Sequence, residues 1–154
     1  MATGHDIAMG LRAAYWTMHR QAMRYLARQG VTPDQLVLLA LLAEEDGVTQ
    51  QELVRRASSD PNTVRAMLVL LESRGLVRRK PHPTDGRARS VEITPAGRRA
   101  SEELRAATRP LQDALLALFE PDEADRFVSD LERLAKVMAE HEVRLRGEPA
   151  HSQP

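Results

Sequence analysis

The chain has 154 residues, no cysteine, and 22 basic against 22 acidic side chains, so its formal net charge is zero. A chain of this length forms one domain, or one domain plus an oligomerisation arm, with a modest core, and without cysteine it forms neither disulfides nor a thiol-based sensor. It has no run of about eighteen apolar residues and no signal-peptide pattern, so we expect a cytoplasmic protein without a membrane partner.

The first predicted element is an amphipathic helix near the N-terminus, within residues 5–29. Apolar residues recur there at spacings of three and four, which places them on one face. They are Ile7, Leu11, Ala14 and Met18.

A short helix is predicted after Thr49, because Thr49 and Glu52 form a T-x-x-E capping box. Residues 58–60 alone separate it from the next helix. Two short helices joined this tightly form a helix-turn-helix, although such pairs also occur in purely structural settings.

The next helix is predicted over Pro61 to Arg74. Ser59 or Asp60 caps its first free amides, and proline suits the first helical position because its missing N–H is not needed there. Gly75 supplies the left-handed residue of a Schellman stop.

The two faces of this helix differ in polarity. Its buried face has apolar residues at i, i+3, i+4 and i+7, namely Val64, Met67, Leu68 and Leu71. The opposite face is free to touch another molecule, and it carries Asn62, Thr63, Arg65 and Ala66.

A β-hairpin with a long connection follows the helix. Its strands contain Val77, Val91 and Ile93, and its turn contains the tripeptide 84–86. Residues 74–99 carry eight basic and two acidic side chains, a formal +6. Edge strands often carry a few cations that block aggregation, but an excess of this size favours a polyanion as partner.

Two further helices are predicted after the hairpin. Thr94 caps the first, with Pro95 at its first position, and the interior Pro110 is expected to kink or break it. The second begins near Pro121 and has a coiled-coil-like apolar seam, formed by Phe127, Leu131, Leu134, Met138, His141 and Leu145.

The terminal helices present more apolar surface than one small domain covers. A partner chain is one way to cover it, and packing within a monomeric bundle is the other. Residues 100–154 carry a formal −5, so this part of the chain is not expected to lie on a polyanion.

Four segments, taken in this order and spacing, resemble the multiple-antibiotic-resistance-regulator (MarR) family. They are TQQEL from Thr49, DPNTV…LLESRGLVRR from Asp60 to Arg79, the D-x-R of Asp85 to Arg87, and ITPAGRR from Ile93 to Arg99. The resemblance implies a mostly α (α+β) fold, a winged helix-turn-helix with N- and C-terminal dimerisation helices. The winged domain would span 32–99 and the dimerisation helices 5–29 and 100–146, and we expect a disordered tail at 147–154.

The resemblance also implies a function. A homodimer would bind double-stranded DNA at a pseudo-palindromic operator and regulate transcription, as a ligand-responsive repressor. The competing hypothesis is a winged-helix module that binds a protein partner without specific DNA binding.

By the same resemblance, the helix from Pro61 enters a major groove and the hairpin, called the wing, reaches an adjacent minor groove. Bases or phosphates would be approached by Asn62, Thr63, Arg65 and Ala66. Arg87 would be the wing-tip arginine, oriented by Asp85. Arginine suits a narrow, electronegative minor groove, and Arg65 has the geometry for a bidentate contact with guanine. Phosphate contacts are expected from Arg78, Arg79, Lys80 and Arg89.

The chain departs from the family pattern at two places. Ala66, Val69 and Leu70 stand where the family commonly has polar or basic residues, and Gly86 replaces the second arginine of the wing tip. A relative's operator sequence therefore does not transfer to this chain.

Members of the family often hold a small aromatic or phenolic effector between the dimer arm and the winged domain. On the first helix a cation and flat rings lie close together in sequence, which predicts a site for an aromatic carboxylate. Its residues are Tyr15, Trp16, His19, Arg20 and Met23. Alternatively, Trp16 and Met23 are packing residues and the others form a solvated edge.

No metal or other cofactor is expected, because the five histidines lack ligand spacing and have no cysteine beside them. Nor do we expect an enzyme. The sequence contains no nucleophile elbow, no phosphate-binding glycine loop and no H-E-x-x-H motif.

Overall fold

A computed structural model describes residues 1–147, and the side chains of residues 1–144. Within these residues there are six helices and three short strands. The helices are α1 (Gly4–Leu26), α2 (Pro33–Glu44), α3 (Gln50–Arg56), α4 (Pro61–Ser73), α5 (Pro95–Leu116) and α6 (Pro121–Gly147); the strands are β1 (Val48–Thr49), β2 (Val77–Pro81) and β3 (Arg89–Ile93). Residues 148–154 of the predicted tail and the side chain of Leu145 lie outside the described residues.

The strands form one antiparallel sheet in the order β1-β3-β2. β2 and β3 are the predicted hairpin, with Val77 opposite Ile93 and Arg79 opposite Val91. The two-residue strand β1, which pairs Val48 with Val91, was not predicted. The mostly α fold class, with a winged helix-turn-helix, is confirmed.

One aliphatic core holds α2, α3, α4 and the sheet together. The predicted buried face of α4 lies in it, since Val64, Leu68 and Leu71 have no accessible surface and Met67 is partly buried. Leu26 at the end of α1 and Leu104 in α5 complete this core. No helix in the described part of the chain is long and apolar enough to cross a membrane.

Both ends of α4 have the predicted caps. Oδ1 of Asp60 accepts the N–H of Thr63 at 2.9 Å. At the other end, Gly75 has a φ of +69° and Leu76 donates its N–H to the carbonyl of Leu71 at 2.9 Å. Gly75 also donates its N–H to the carbonyl of Glu72 at 2.9 Å. The bonds from Gly75 and Leu76 form the Schellman motif, so the stop predicted at Gly75 is confirmed.

Only one of the two hydrogen bonds of the capping box predicted at Thr49 forms. Oγ1 of Thr49 accepts the N–H of Glu52 at 3.1 Å, but the Glu52 carboxylate turns to the guanidinium of Arg55 instead of returning to the cap. Two residues after the end of α3, Ser58 has a left-handed conformation with a φ of +49°. This tight turn joins α3 to α4.

Pro110 does not break α5, which continues to Leu116. A proline removes one N–H donor, but the preceding turns of α5 are fixed by the buried Leu104 and Thr108. The hydroxyl of Thr108 also donates to the carbonyl of Leu104 at 3.1 Å. The sequence predicted a kink or a break at Pro110, and the predicted break is wrong.

The chain divides into two compact units, Met1–Leu111 and a second that begins at Gln112. α1 belongs to the same unit as the winged domain. In the second unit, the rings of Phe119 and Phe127 stack with their centroids 5.0 Å apart. Most of the predicted seam of α6 is exposed in the single chain, including Phe127, Leu131 and Met138.

Gly97 lies in the first turn of α5, where no side chain fits. A Cβ at this position would lie 2.0 Å from the carbonyl oxygen of Leu76. We expect Gly97→Ala to lower the free energy of unfolding by about 1–3 kcal/mol, because backbone would have to move. Urea denaturation followed by circular dichroism measures this change.

Gly10→Ala is the matched control for this prediction. Gly10 is also helical, but nothing lies within 4 Å of a Cβ there, so alanine should leave stability unchanged or raise it by up to about 1 kcal/mol. Equal stabilities of the two variants would contradict the close approach at Gly97.

Candidate DNA-binding interface

Hydrogen bonds between backbone groups and one hydroxyl group connect α4 to the base of the wing. The carbonyl of Leu76 accepts the N–H of Thr94 at 3.0 Å. The Thr94 hydroxyl donates to the carbonyl of Gly75 at 2.6 Å and accepts the N–H of Gly97 at 3.0 Å. Thr94 thus connects the end of α4, the start of β2 and the start of α5.

Asp46, in the turn before β1, anchors the wing from the other side. Its Oδ1 accepts the N–H of Ile93 at 2.8 Å, and its Oδ2 lies 3.1 Å from Nη2 of Arg98. The hydroxyl of Ser90 donates to the carbonyl of Gly47 at 3.1 Å. This anchor was not predicted, although the turn dipeptide Asp46-Gly47 was a sequence signal for it.

The outer face of α4 is exposed as predicted at Asn62, Thr63, Arg65 and Ala66. Thr63 lies at one edge of it, where its hydroxyl bonds the Asp60 carboxylate. The hydroxyl and the N–H of Thr63 both lower the pKa of Asp60, so this cap stays ionised at neutral pH. Arg65 has no ion pair among the described residues.

Arg79 differs from its predicted role as a phosphate contact. Its Nε and Nη2 donate to Oε2 of Glu72 at 2.9 and 2.6 Å, and its backbone N–H donates to Oε1 at 2.9 Å. The side-chain hydrogen bond from Arg79 is also the main reason why the pKa of Glu72 is lowered. Arg79 therefore links β2 to α4 in the folded chain, and we expect Arg78 rather than Arg79 to contact a phosphate.

Three other cations of this region also have internal partners. Arg74 donates to the carbonyls of Gly30 and Gln29 at 2.7 and 2.9 Å, and Arg98 pairs with Asp46. Lys80 lies 2.7 Å from Glu92, but both groups are well exposed. Because exposed pairs contribute little, Lys80 stays available to a phosphate.

The remaining arginines of the wing project without an ion pair within the described chain. They are Arg78, Arg87 and Arg89, all exposed. Oδ1 of Asp85 accepts the backbone N–H of Arg87 at 3.0 Å, so Asp85 shapes the turn that carries this arginine and does not hold the guanidinium itself.

An open cleft of about 390 Å³ lies between the wing and the helix-turn-helix. Arg87 and Arg89 line one side, and the start of α4 at Pro61 and the start of α3 line the other. Gln50 and Gln51 also line it, although the sequence analysis did not name them as site residues. The cleft therefore brings the wing arginines beside the first turn of α4.

The predicted effector residues do not form one site. The rings of Tyr15, Trp16 and His19 cluster, with centroids 5.4 to 5.7 Å apart. Trp16 and Arg20, however, line a groove of about 470 Å³ along α1. Tyr15 lines a different cavity of about 400 Å³, and Met23 is exposed.

The Tyr15 cavity connects α1 to the helix-turn-helix. Its lining includes Val37 of α2, Ser58 and Ser59 of the turn before α4, and Thr63 and Met67 of α4. No group of three histidine or acidic side chains suited to a metal occurs among the described residues.

A helix-turn-helix followed by a cationic two-stranded wing defines the class of winged helix-turn-helix proteins. The sequence pattern described as MarR family matches residues 29–88. The chain belongs to the MarR family, as its sequence predicted.

Known proteins resemble the chain over most of its length. The HTH-type transcriptional repressor MdtR of Bacillus subtilis (strain 168) is 27% identical over 118 residues, which are 77% of this chain and 76% of that protein. A probable transcriptional regulator from Pseudomonas aeruginosa, known from a crystal structure, is 31% identical to this chain with a TM-score of 0.74. The match covers 83% of this chain and 96% of that chain. The transcriptional repressor CouR, whose structure is known bound to a 23-mer DNA duplex, is 25% identical to this chain with a TM-score of 0.74. The match covers 88% of this chain and 99% of that chain.

The neighbours Arg78 and Arg79 should respond differently to alanine substitution. Arg78→Ala should reduce the slope of log K against log salt for a random-sequence duplex by about 0.9 per bound protomer, because each protomer loses one phosphate contact. Arg79→Ala should leave that slope unchanged but lower the thermal midpoint, since Glu72 loses its partner. Equal slopes for the two variants would contradict this assignment of the two arginines.

Proposed function

We propose that the chain is a transcriptional repressor that binds duplex DNA as a homodimer, with α4 in the major groove and the wing in an adjacent minor groove. The observation that carries the proposal is the distribution of unpaired cations. Arg65, Arg78, Arg87 and Arg89 lie on α4 and the wing, whereas Arg74, Arg79 and Arg98 are held by internal partners.

Each part of this surface suits one part of the duplex. An α-helix fits the major groove, and the exposed Arg65 is able to reach O6 and N7 of guanine. Arg87 is carried by the wing turn and suits a narrow minor groove. Arg78, Lys80 and Arg89 would contact phosphates, which position the protein without reading sequence.

Exposed apolar side chains on α1 and α6 support the dimer. Ile7 and Met18 on α1, and Leu131 and Met138 on α6, are more than one-third exposed in the single chain. A second copy would cover such side chains. The two copies of α4 would then reach half-sites about 34 Å apart on a pseudo-palindromic operator.

The proposal includes an aromatic or phenolic acid as effector, bound in the Tyr15 cavity. Tyr15 offers a ring for stacking and a hydroxyl for hydrogen bonding, and Val37 and Met67 offer apolar contacts. Because Thr63 and Met67 belong to α4, a ligand that fits one position of α4 better than another would shift its position and change DNA affinity.

Selection from a randomised duplex library, followed by fluorescence anisotropy, tests DNA binding. We expect an enriched two-fold-symmetric site bound by two protomers. The Arg87→Ala/Arg89→Ala double variant should lower affinity and reduce the salt slope by up to about 3.6 for the bound dimer, because two cationic contacts are removed from each protomer.

Arg105→Ala is the matched control for the wing variant. Arg105 is exposed on α5, which leaves β3 at the end of the strand opposite to the wing tip. Its removal should change neither quantity. Failure to enrich any sequence would contradict the proposal and favour the winged-helix module that binds a protein partner.

Trp16 is the sole tryptophan of the chain and reports on effector binding. It lies 5.4 Å from the ring of Tyr15, so titration with salicylate should change its fluorescence and weaken DNA binding. Val37→Phe should abolish both responses by filling the Tyr15 cavity. Met9→Phe, which changes the Trp16/Arg20 groove, should preserve them. The opposite pattern would move the effector to that groove.

A further inference from the structure

The outermost line of α4 is apolar in its middle. At 100° per residue, the positions farthest from the buried face are Asn62, Ala66, Val69 and Ser73. All four are exposed, with Val69 at 46%. Because Val69 packs against nothing in the core, the fold does not explain an aliphatic side chain there.

The surroundings of this line favour a polyanion over an apolar protein surface. Arg65 flanks it without an ion pair, and Arg87 and Arg89 line the cleft beside the first turn of α4. The acidic residue nearest its far end, Glu72, is held by Arg79. An apolar strip between free cations suits a ligand that is charged at its edges and has methyl groups at its centre.

The major groove of DNA has this character, with phosphates at its edges and thymine methyl groups on its floor. Among the four bases only thymine has a methyl group there, and alanine and other apolar side chains contact it. A cytosine or guanine at the same place would put a polar edge against Ala66 or Val69, which offer it no hydrogen bond.

We propose that Ala66 and Val69 determine specificity by contacting thymine methyl groups in each half-site. This inference rests on the proposed function and deepens it. Asn62 to Val69 spans about 10 Å along the helix axis, roughly the length of three base-pair steps. The half-site therefore has its thymines within three or four consecutive base pairs, beside the base contacts of Asn62 and Arg65.

Replacement of thymine by deoxyuridine tests the contact, since it removes the methyl group and leaves base pairing intact. The selected operator is synthesised with one symmetric thymine pair replaced at a time, and affinity is measured by anisotropy. We expect one or two positions per half-site at which affinity falls about fourfold per methyl, equivalent to roughly 0.8 kcal/mol.

Val69→Ala completes the test. This variant should lose most of the sensitivity to deoxyuridine at one position and keep the sensitivity at the other, which belongs to Ala66. Leu70→Ala is the matched control, because Leu70 is also exposed, at 54%, but lies off the outermost line, and it should keep both sensitivities. The exposure of both residues means that neither substitution should alter thermal stability.

The outcomes separate the two proposals. Specific binding that no deoxyuridine replacement weakens would overturn the methyl contact and leave the proposed function standing. Sensitivity that Val69→Ala leaves intact at every position would overturn the role of Val69. Absence of specific binding to any duplex would overturn the proposed function, and this inference with it.

Discussion

The carbonyl group of Leu76 lies where α4, the wing and α5 meet. It accepts the N–H of Thr94, and its oxygen lies so close to Gly97 that only a residue without a side chain fits there. We propose that α4 and the wing enter adjacent grooves, and two such elements must hold their separation before they meet DNA, since ordering them on binding would cost affinity. The T-P-A-G segment 94–97 therefore has a structural role.

The chain has no formal net charge, and ion pairs within the fold hold some of its cations while other cations stay available to a partner. Glu72 and Asp46 hold Arg79 and Arg98 at the base of the wing, while Arg78, Arg87 and Arg89 have no ion pair within the described part of the chain. The formal +6 of residues 74–99 therefore overstates the charge available to a partner. Within residues 60–93, the arginines without an internal partner in the described chain are Arg65, Arg78, Arg87 and Arg89. They lie on α4 and the wing, where a DNA-reading surface would need them.

The elements with strong local signals were predictable from the sequence. The caps at Asp60 and Gly75 and the apolar face of α4 formed as expected, because they depend on residues within a few positions of each other. The hairpin strands were predictable for the same reason.

Features that depend on three-dimensional proximity were not predictable. Glu72 and Arg79 belong to different elements, and only the folded chain shows that they pair. Tyr15 and Trp16 are adjacent in sequence but about 100° apart around α1, so they line different cavities. The left-handed conformation of Ser58 had no glycine to signal it.

Dimethyl sulfate protection of the selected operator tests whether α4 and the wing enter different grooves. The reagent methylates N7 of guanine in the major groove and N3 of adenine in the minor groove. We expect protected guanines in two half-sites about 34 Å apart, and protected adenines in the minor grooves beside them that become reactive again in the Arg87→Ala variant. Protection confined to one groove, or unchanged adenine protection in that variant, would contradict this placement of α4 and the wing.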